Sequence, residues 1–241
     1  VKFWFTALLL ALCGCTPQLK TYGSFSGTLP PGALMIIGAP QAQINVYKPL
    51  NGDPGDRFTV QLMARPDESP PPPAPPLLQP SGRVLRVNAG EAASALLVRV
   101  PDRVALDVRI GDGDVNVTDV TGVVDASTNH GEVKVMVPQY AQASSGAGNI
   151  TVFMGATDWP GTLRFGTQRG DVEVWINATA QFGVHMHTDR GIIFTDFGLT
   201  GTSKGTAETI DGVVGGRPAK RGVDITVRDG DIRLLQLKPQ I

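Results

Sequence analysis

Along most of the chain, apolar and polar residues alternate in short runs. Examples are Val115-Asn116-Val117, Val133-Lys134-Val135, Ile150-Thr151-Val152 and Val172-Glu173-Val174. Successive side chains of an extended strand point to opposite faces, so a period of two predicts strands with one buried face. Each run follows a glycine and an acidic or amide residue, as in Gly113-Asp114, Gly131-Glu132, Gly148-Asn149, Gly170-Asp171 and Gly230-Asp231, with weaker copies at Gly191 and Gly212. The glycine-to-glycine steps are 18, 17, 22, 21, 21 and 18 residues. Half-period copies at Gly122 and Gly161 divide each unit into two strands and two turns. One such unit cannot bury its apolar face alone, whereas stacked units share a core. The pattern therefore predicts an all-β fold, a right-handed parallel β-solenoid or β-roll of six or seven coils, about 30 Å long at roughly 4.8 Å per coil. Strands at this spacing also fit an antiparallel β-sandwich, which stays open as the alternative.

Upstream, strand-like runs occur at 34–37, 44–47, 58–63, 84–87 and 95–100, so the β-repeat domain is expected over 34–237. Residues 15–33 are rich in glycine, serine and proline and read as a flexible tether. Between two strand runs lies Pro66-Asp67-Glu68-Ser69-Pro70-Pro71-Pro72-Pro73-Ala74-Pro75-Pro76, in a proline-rich loop expected over 66–80. Such a run lacks ladder donors and favours polyproline II, a stiff spacer or a ligand for an aromatic groove.

At the N-terminus, Lys2 precedes an apolar stretch ending in Leu12-Cys13-Gly14-Cys15. This is the layout of a secretory signal peptide over 1–14 and is shorter than a spanning helix requires. The Leu-Cys-Gly-Cys run resembles a bacterial lipobox. That resemblance implies cleavage before Cys15, lipidation of its thiol and anchoring to the bilayer. Two or three chains, at about 0.8 kcal/mol per buried methylene, give stable attachment. Thr16 follows where an Asp would favour inner-membrane retention, so the expected address is the cell envelope and, if that envelope is Gram-negative, its outer membrane, facing periplasm or surface.

Charge adds little. With 21 basic and 22 acidic residues in 241, the chain has neither the basic excess of a nucleic-acid binder nor a polybasic membrane patch. For chemistry, His185, His187 and Asp189 alternate on one predicted strand face and are the candidate metal ligands. Whether that face points in or out is open, because Val184 and Met186 compete with the histidines for the core. Asp112, Asp114, Asp171 and Asp231 lie beside turn glycines, yet the calcium-binding nonapeptide pattern is absent. These carboxylates are read as bonding their own turns. The Asn-x-Thr sequons at Asn116, Asn149 and Asn177 are read as strand and turn residues, and Trp175, opposite in parity to Val174, as an outward aromatic or a loop-packing residue. No catalytic or cofactor-binding residue is assigned.

The block Leu97-Val98-Arg99-Val100-Pro101, Val104 to Val108, Gly113-Asp114-Val115 and Gly131-Glu132-Val133, closing with Ile225 to Leu234, resembles the DUF4097 "putative adhesin" family over about 36–237. The resemblance implies a β-solenoid-like exported or membrane-attached domain and brings no catalytic residues. The proline tract and residues 200–221 depart from its pattern. The expectation is a membrane-anchored, non-catalytic envelope module, meeting the bilayer through acylated Cys15 and an envelope protein or glycan through its surface. The alternatives are a glycan-active β-helix enzyme and an accessory subunit of an envelope signalling or transport system.

Overall fold

The computed structural model describes residues 20–50, 55–64, 77–90, 94–216 and 220–238. All regular structure in them is β. The N-terminal part holds β1 (Lys20–Thr28), β2 (Leu34–Gln41), β3 (Gln43–Tyr47), β4 (Arg57–Ala64), β5 (Leu77–Ser81), β6 (Val84–Asn88) and β7 (Ala95–Arg99). The middle holds β8 (Ala105–Asp112), β9 (Val115–Thr118), β10 (Val124–His130), β11 (Val133–Val137), β12 (Ala141–Ala147), β13 (Ile150–Met154), β14 (Thr162–Arg169) and β15 (Val172–Asn177). The C-terminal part holds β16 (Phe182–Arg190), β17 (Ile193–Thr195), β18 (Thr202–Lys204), β19 (Ala207–Val214), β20 (Gly222–Asp229) and β21 (Ile232–Leu237).

These strands form two sheets. One, called A below, runs β1-β4-β7-β3-β9-β11-β13-β15-β21-β17; the other, B, runs β18-β19-β16-β20-β14-β12-β10-β8-β2-β6-β5. Consecutive strands pass from B to A, as β8 to β9 or β10 to β11, so each pair is one coil of a parallel β-solenoid-like stack. Eight parallel strands in each sheet make eight coils, more than the six or seven expected, because β2–β3 and β6–β7 stack without the Gly-Asp motif. Antiparallel strands close the stack at both ends: β4 and β1 in sheet A, β5 in sheet B at one end, and β19 and β18 at the other. Such closure occupies the open edge of a parallel sheet.

Spatial order departs from chain order twice. The coil β2–β3 lies between β6–β7 and β8–β9, and the final coil, β20–β21, lies between β14–β15 and β16–β17. Val223, Ile225 and Val227 are consequently buried in mid-stack although they lie near the end of the described chain. Arg221 Nη1 donates to Thr157 O (2.8 Å) and Trp159 Nε1 to Gly222 O (3.1 Å), so the loop after β13 holds the start of this inserted coil. Buried Trp159 also packs on Phe182, which meets Phe197 edge-on.

Backbone contact between coils explains the repeated glycine. A Cβ on Gly131 would lie 2.0 Å from Gly113 O, on Gly148 1.9 Å from Gly131 O, on Gly170 2.4 Å from Gly148 O, and on Gly230 2.1 Å from Gly170 O. All four have positive φ, from 131 to 149°. Only glycine allows this approach and this backbone. The carbonyls of the same ladder accept buried hydroxyls: Thr128 Oγ1 donates to Gly113 O (3.0 Å), Ser145 Oγ to Gly131 O (3.0 Å), Thr167 Oγ1 to Gly148 O (3.1 Å) and Thr188 Oγ1 to Gly230 O (2.9 Å).

After four of these glycines the short polar residue bonds a neighbouring coil, not its own turn as the sequence suggested. Asp114 Oδ1 accepts the Glu132 N–H (2.8 Å), Asn149 Oδ1 that of Asp171, Asp171 Oδ1 that of Asp231, and Asp231 Oδ1 that of Ile192, the last three at 2.9 Å. A short side chain on one coil thus satisfies a turn amide that has no place in either sheet.

Two boundaries are corrected. Residues 20–28, expected within the tether, form β1 and pair with β4, placing Leu29 in the core. Residues 77–80, expected within the proline-rich loop, belong to β5. Cys15, the signal peptide and the tract at 66–76 lie outside the described residues.

Candidate contact surface

Inward positions are nearly uniform Val, Ile, Leu, Ala, Met and Phe, and the chemistry of the rod therefore lies on its two outer faces. Parallel pairing in register puts equivalent outward residues of successive coils in columns. On sheet A one column reads Arg99, Tyr47, Thr118, Met136, Phe153, Trp175 and Leu235. Each of the last five stands five residues after a repeat glycine. Met136 is 38% exposed, while Tyr47, Phe153, Trp175 and Leu235 are half-buried.

The Phe153 and Trp175 rings are stacked, with centroids 5.5 Å apart and planes within 13°. Near-parallel rings at that separation are offset-stacked, and they join neighbouring strands of the outer face of sheet A. The Trp175 indole donates Nε1–H to Glu173 Oε1 (2.7 Å), which satisfies its polar end without covering the ridge. Beside the ridge runs a polar column of Asn45, Asn116, Lys134, Thr151, Glu173 and Arg233. Within it Asn116 Nδ2 donates to Asn45 Oδ1 (3.3 Å), and Arg233 stands 3.7 Å from Glu173. On the other side is a depression of about 480 Å³ bounded by Met136, Pro138, Phe153, Gly155, Leu237 and the Lys48–Asp119 ion pair (3.3 Å).

Sheet B presents a different face. Its corresponding column is Asp107, Asp125, Gln142, Arg164, Asp224, His185 and Asp211, and a second carries Arg109, Ser127, Ser144, Gly166, Thr226, His187 and Thr209. The competition within β16 is settled by burial. Val184 and Met186 enter the core; His185 and Asp189 are exposed and His187 is half-buried, all on the outer face. Parity does bring His185, His187 and Asp189 to one face, but their contacts divide them. His185 Nδ1 meets Asp211 Oδ1 (2.7 Å); His187 Nδ1 meets Thr209 Oγ1 (2.8 Å), and its Nε2 meets Asp189 Oδ1 (3.1 Å). Among the described residues no three metal-ligating side chains converge.

Asp107 and Asp125 face each other across β8 and β10. Arg109 holds Asp107 through two hydrogen bonds (2.8 and 2.9 Å), while loss of hydration, and then the Asp107 charge, push the Asp125 carboxyl above the usual range. A pair of carboxyls is the usual equipment of acid–base glycan hydrolysis. Asp125 is nevertheless exposed on an open sheet surface. Asp112 pairs with His130 Nδ1 (2.6 Å), whereas Asp114, Asp171 and Asp231 cap neighbouring coils.

The family model described as "Toastrack DUF4097" matches residues 102–235, more than half of the chain. Among curated proteins no match is found. A solved structure from Clostridium sporogenes, described as a "putative cell adhesion protein", is similar at 10% identity and a TM-score of 0.49, over 90% of this chain and 100% of that one. A "putative adhesin" from Bacteroides fragilis is similar at 8% identity and a TM-score of 0.34, over 92% and 99%. The solenoid-like stack, with its glycine ladder lying almost wholly inside the matched residues, agrees with the family match: this chain belongs to the Toastrack DUF4097 family.

Proposed function

We propose that the chain is a lipid-anchored, non-catalytic binding module of the cell envelope, fixed through Cys15 and meeting its partner along the ridge Tyr47, Met136, Phe153, Trp175 and Leu235. The observation that carries the reading is the run Met136, Phe153, Trp175 and Leu235 on the outside of the stack, with Tyr47 one coil beyond Thr118. A contiguous exposed apolar surface, rimmed by polar groups and centred on aromatic residues, is the ordinary signature of a contact site. The lipobox-like Leu12-Cys13-Gly14-Cys15 motivates the anchor, and the names of the similar solved proteins agree with an adhesive role. The outer membrane is the proposed address.

The anchor and the contact surface have separate tests. A palmitate analogue fed to cells should label the wild type and not Cys15→Ser, with the variant leaving the membrane fraction; equal labelling of both would remove the lipid. For the surface, retention of the full chain on isolated envelopes should fall about tenfold or more with Met136→Asp and stay unchanged with Asp224→Asn on sheet B. Equal retention of both variants would remove the ridge from the account. Turnover of envelope glycans that disappears with Asp125→Asn would replace the binding reading with the enzymatic one.

A further inference from the structure

The proposed lipid on Cys15 fixes one end of the stack to a bilayer, and the inference below rests on that reading. We propose that the rim of this end, carrying Arg57, Arg83, Arg99 and Arg103, binds anionic phospholipid headgroups of the same membrane, so that the stack stands on its first coil.

No basic run marks the rim in the sequence, because Arg57, Arg83 and Arg103 are 26 and 20 residues apart. The fold gathers them. The connection from β1 to β2 bonds the backbone at or beside each one: Leu29 N–H donates to Asp56 O (2.7 Å), Gly32 N–H to Arg103 O (3.0 Å) and Leu34 N–H to Arg83 O (2.9 Å). From Leu29 to Leu34 the chain spans about 17 Å at full extension, and the turn closed by Ala33 N–H on Pro30 O shortens it. Arg99 joins them from sheet A. It lies opposite Thr59, two residues beyond Arg57 on the same outer face, since Phe58, Val60 and Val98 are the buried ones.

The charge of this rim is uncompensated. Arg57, Arg83 and Arg103 are exposed and Arg99 is half-buried, and none of the four guanidinium groups has an ion pair or hydrogen bond among the described residues. In the later coils Arg109, Arg190, Arg221, Arg228 and Arg233 each meet a carboxylate. Asp56 and Asp102 also stand on the rim, which leaves an excess of two positive charges, and exposed Arg86 on β6 adds a third. The same bias runs through the chain: residues 15–103 carry eight basic and six acidic side chains, residues 104–241 twelve and sixteen. A cationic end on an acidic rod orients it against an anionic surface. Leu50, 57% exposed, bounds a depression with Tyr47 and Arg99 at this rim, and an apolar side chain beside arginine suits the headgroup boundary.

Placement supplies the occupant. β1 is the outermost strand of sheet A, and residues 15–19 link it to the anchoring cysteine over about 17 Å at most. Lys20 lies opposite Ala64 and Thr28 opposite Arg57, so lipid and rim belong to the two ends of one nine-residue strand, about 27 Å apart. The bilayer that holds the lipid is therefore the surface within reach of the rim. An acyl anchor with a basic patch is a two-signal attachment, and two points of contact across the end of the stack keep the ridge clear of the membrane.

The test uses the full lipidated chain with Pro31→Cys, exposed on the rim, carrying a polarity-sensitive nitrobenzoxadiazole label. Vesicles are phosphatidylcholine alone or an equal mixture with phosphatidylglycerol. Emission should lie further to the blue on the anionic vesicles, and about 1 M salt, which screens charges beyond roughly 3 Å, should abolish the difference. Arg57→Gln with Arg83→Gln should weaken the docked state about tenfold or more, whereas Lys134→Gln with Arg164→Gln, on the broad faces, should leave it unchanged. The same label at Ser203→Cys, in β18 at the far end, should not respond. Flotation with phosphatidylcholine vesicles reads the anchor separately. A chain that floats yet shows no salt-sensitive difference would overturn the rim contact and leave the anchor standing. Equal responses at Pro31 and Ser203 would overturn the upright stack. A chain that does not float on phosphatidylcholine would remove both, since nothing would then bring this end to a bilayer.

Discussion

The two broad faces of the stack cover the same kind of buried aliphatic residues and yet differ in what they present outside. Beneath sheet A lie Val115, Val133, Ile150, Val172 and Ile232, and beneath sheet B Leu106, Val124, Ala141, Leu163 and Val223. Outside, one face carries a Met–Phe–Trp–Leu ridge and the other a file of carboxylates, an arginine and histidines. Strand parity separates the two duties: inward positions and turn glycines hold the stack, and outward positions are free to specify a surface. Substitutions should sort the same way, with large effects on stability inside, small ones outside, and the reverse for binding.

Gly148→Ala should have the largest effect on stability. It forces a Cβ to within 1.9 Å of Gly131 O at a φ of 149°, so a loss of about 4 kcal/mol or more, or failure to fold, is expected in denaturant titration. It breaks both faces together. Ile150→Ala, in the core beneath Phe153, should cost about 2 to 5 kcal/mol by the same titration. Asp171→Ala removes the acceptor for the Asp231 amide and, because this bond is exposed to water, should cost about 0.5 to 1.5 kcal/mol, with the Asp231 amide becoming faster in hydrogen exchange. Phe153→Ser, on the ridge, should cost only about 1 kcal/mol, the scale of one cross-strand aromatic pair, while removing most envelope binding.

The smallest effect belongs to sheet B. Because the Asp125 carboxyl titrates above its ordinary value in the folded chain, the folded state holds the proton more tightly, and stability falls as pH rises from the ordinary carboxylate value through the raised one. Asp125→Asn removes that loss. Its unfolding midpoint in urea should be higher than that of the wild type at neutral pH, and the difference should vanish in acid below the ordinary carboxylate value.

Much of the stack was legible in the sequence because its dominant constraint is local. A glycine, a short polar residue and alternating Val or Ile state the turn and the strand within a few residues, and Gly113, Gly131, Gly148, Gly170 and Gly230 all occupy the ladder. Insertion of β20–β21 between β15 and β17 was not legible, since a motif tells which strands are alike but not which neighbour each takes. β1 was hidden for another reason. Its partner, β4, is distant in sequence, and a run of Gly, Ser and Thr has no apolar signature of its own. For the surface, Trp175 and Glu173 were visible by parity, but the ridge was not. Aligning the chain on its repeat glycines would have exposed it, because the fifth residue onward is Met136, Phe153, Trp175 and Leu235 in four of the five clearest copies, and Thr118 in the other. The contacts that divide His185, His187 and Asp189 were not legible, because Asp211 and Thr209 come from β19, which pairs antiparallel with β16 although its Gly212 reads in the sequence as a weak copy of the repeat.

The account turns on which face is occupied in the cell, and carbene footprinting of the full chain measures that directly, comparing the protein in its native membrane with the same protein purified in detergent. Met136, Phe153 and Trp175 should lose labelling in the membrane while Arg164 and His185 keep it; protection of the sheet B residues instead, or no difference at the ridge, would contradict the assignment of function to sheet A.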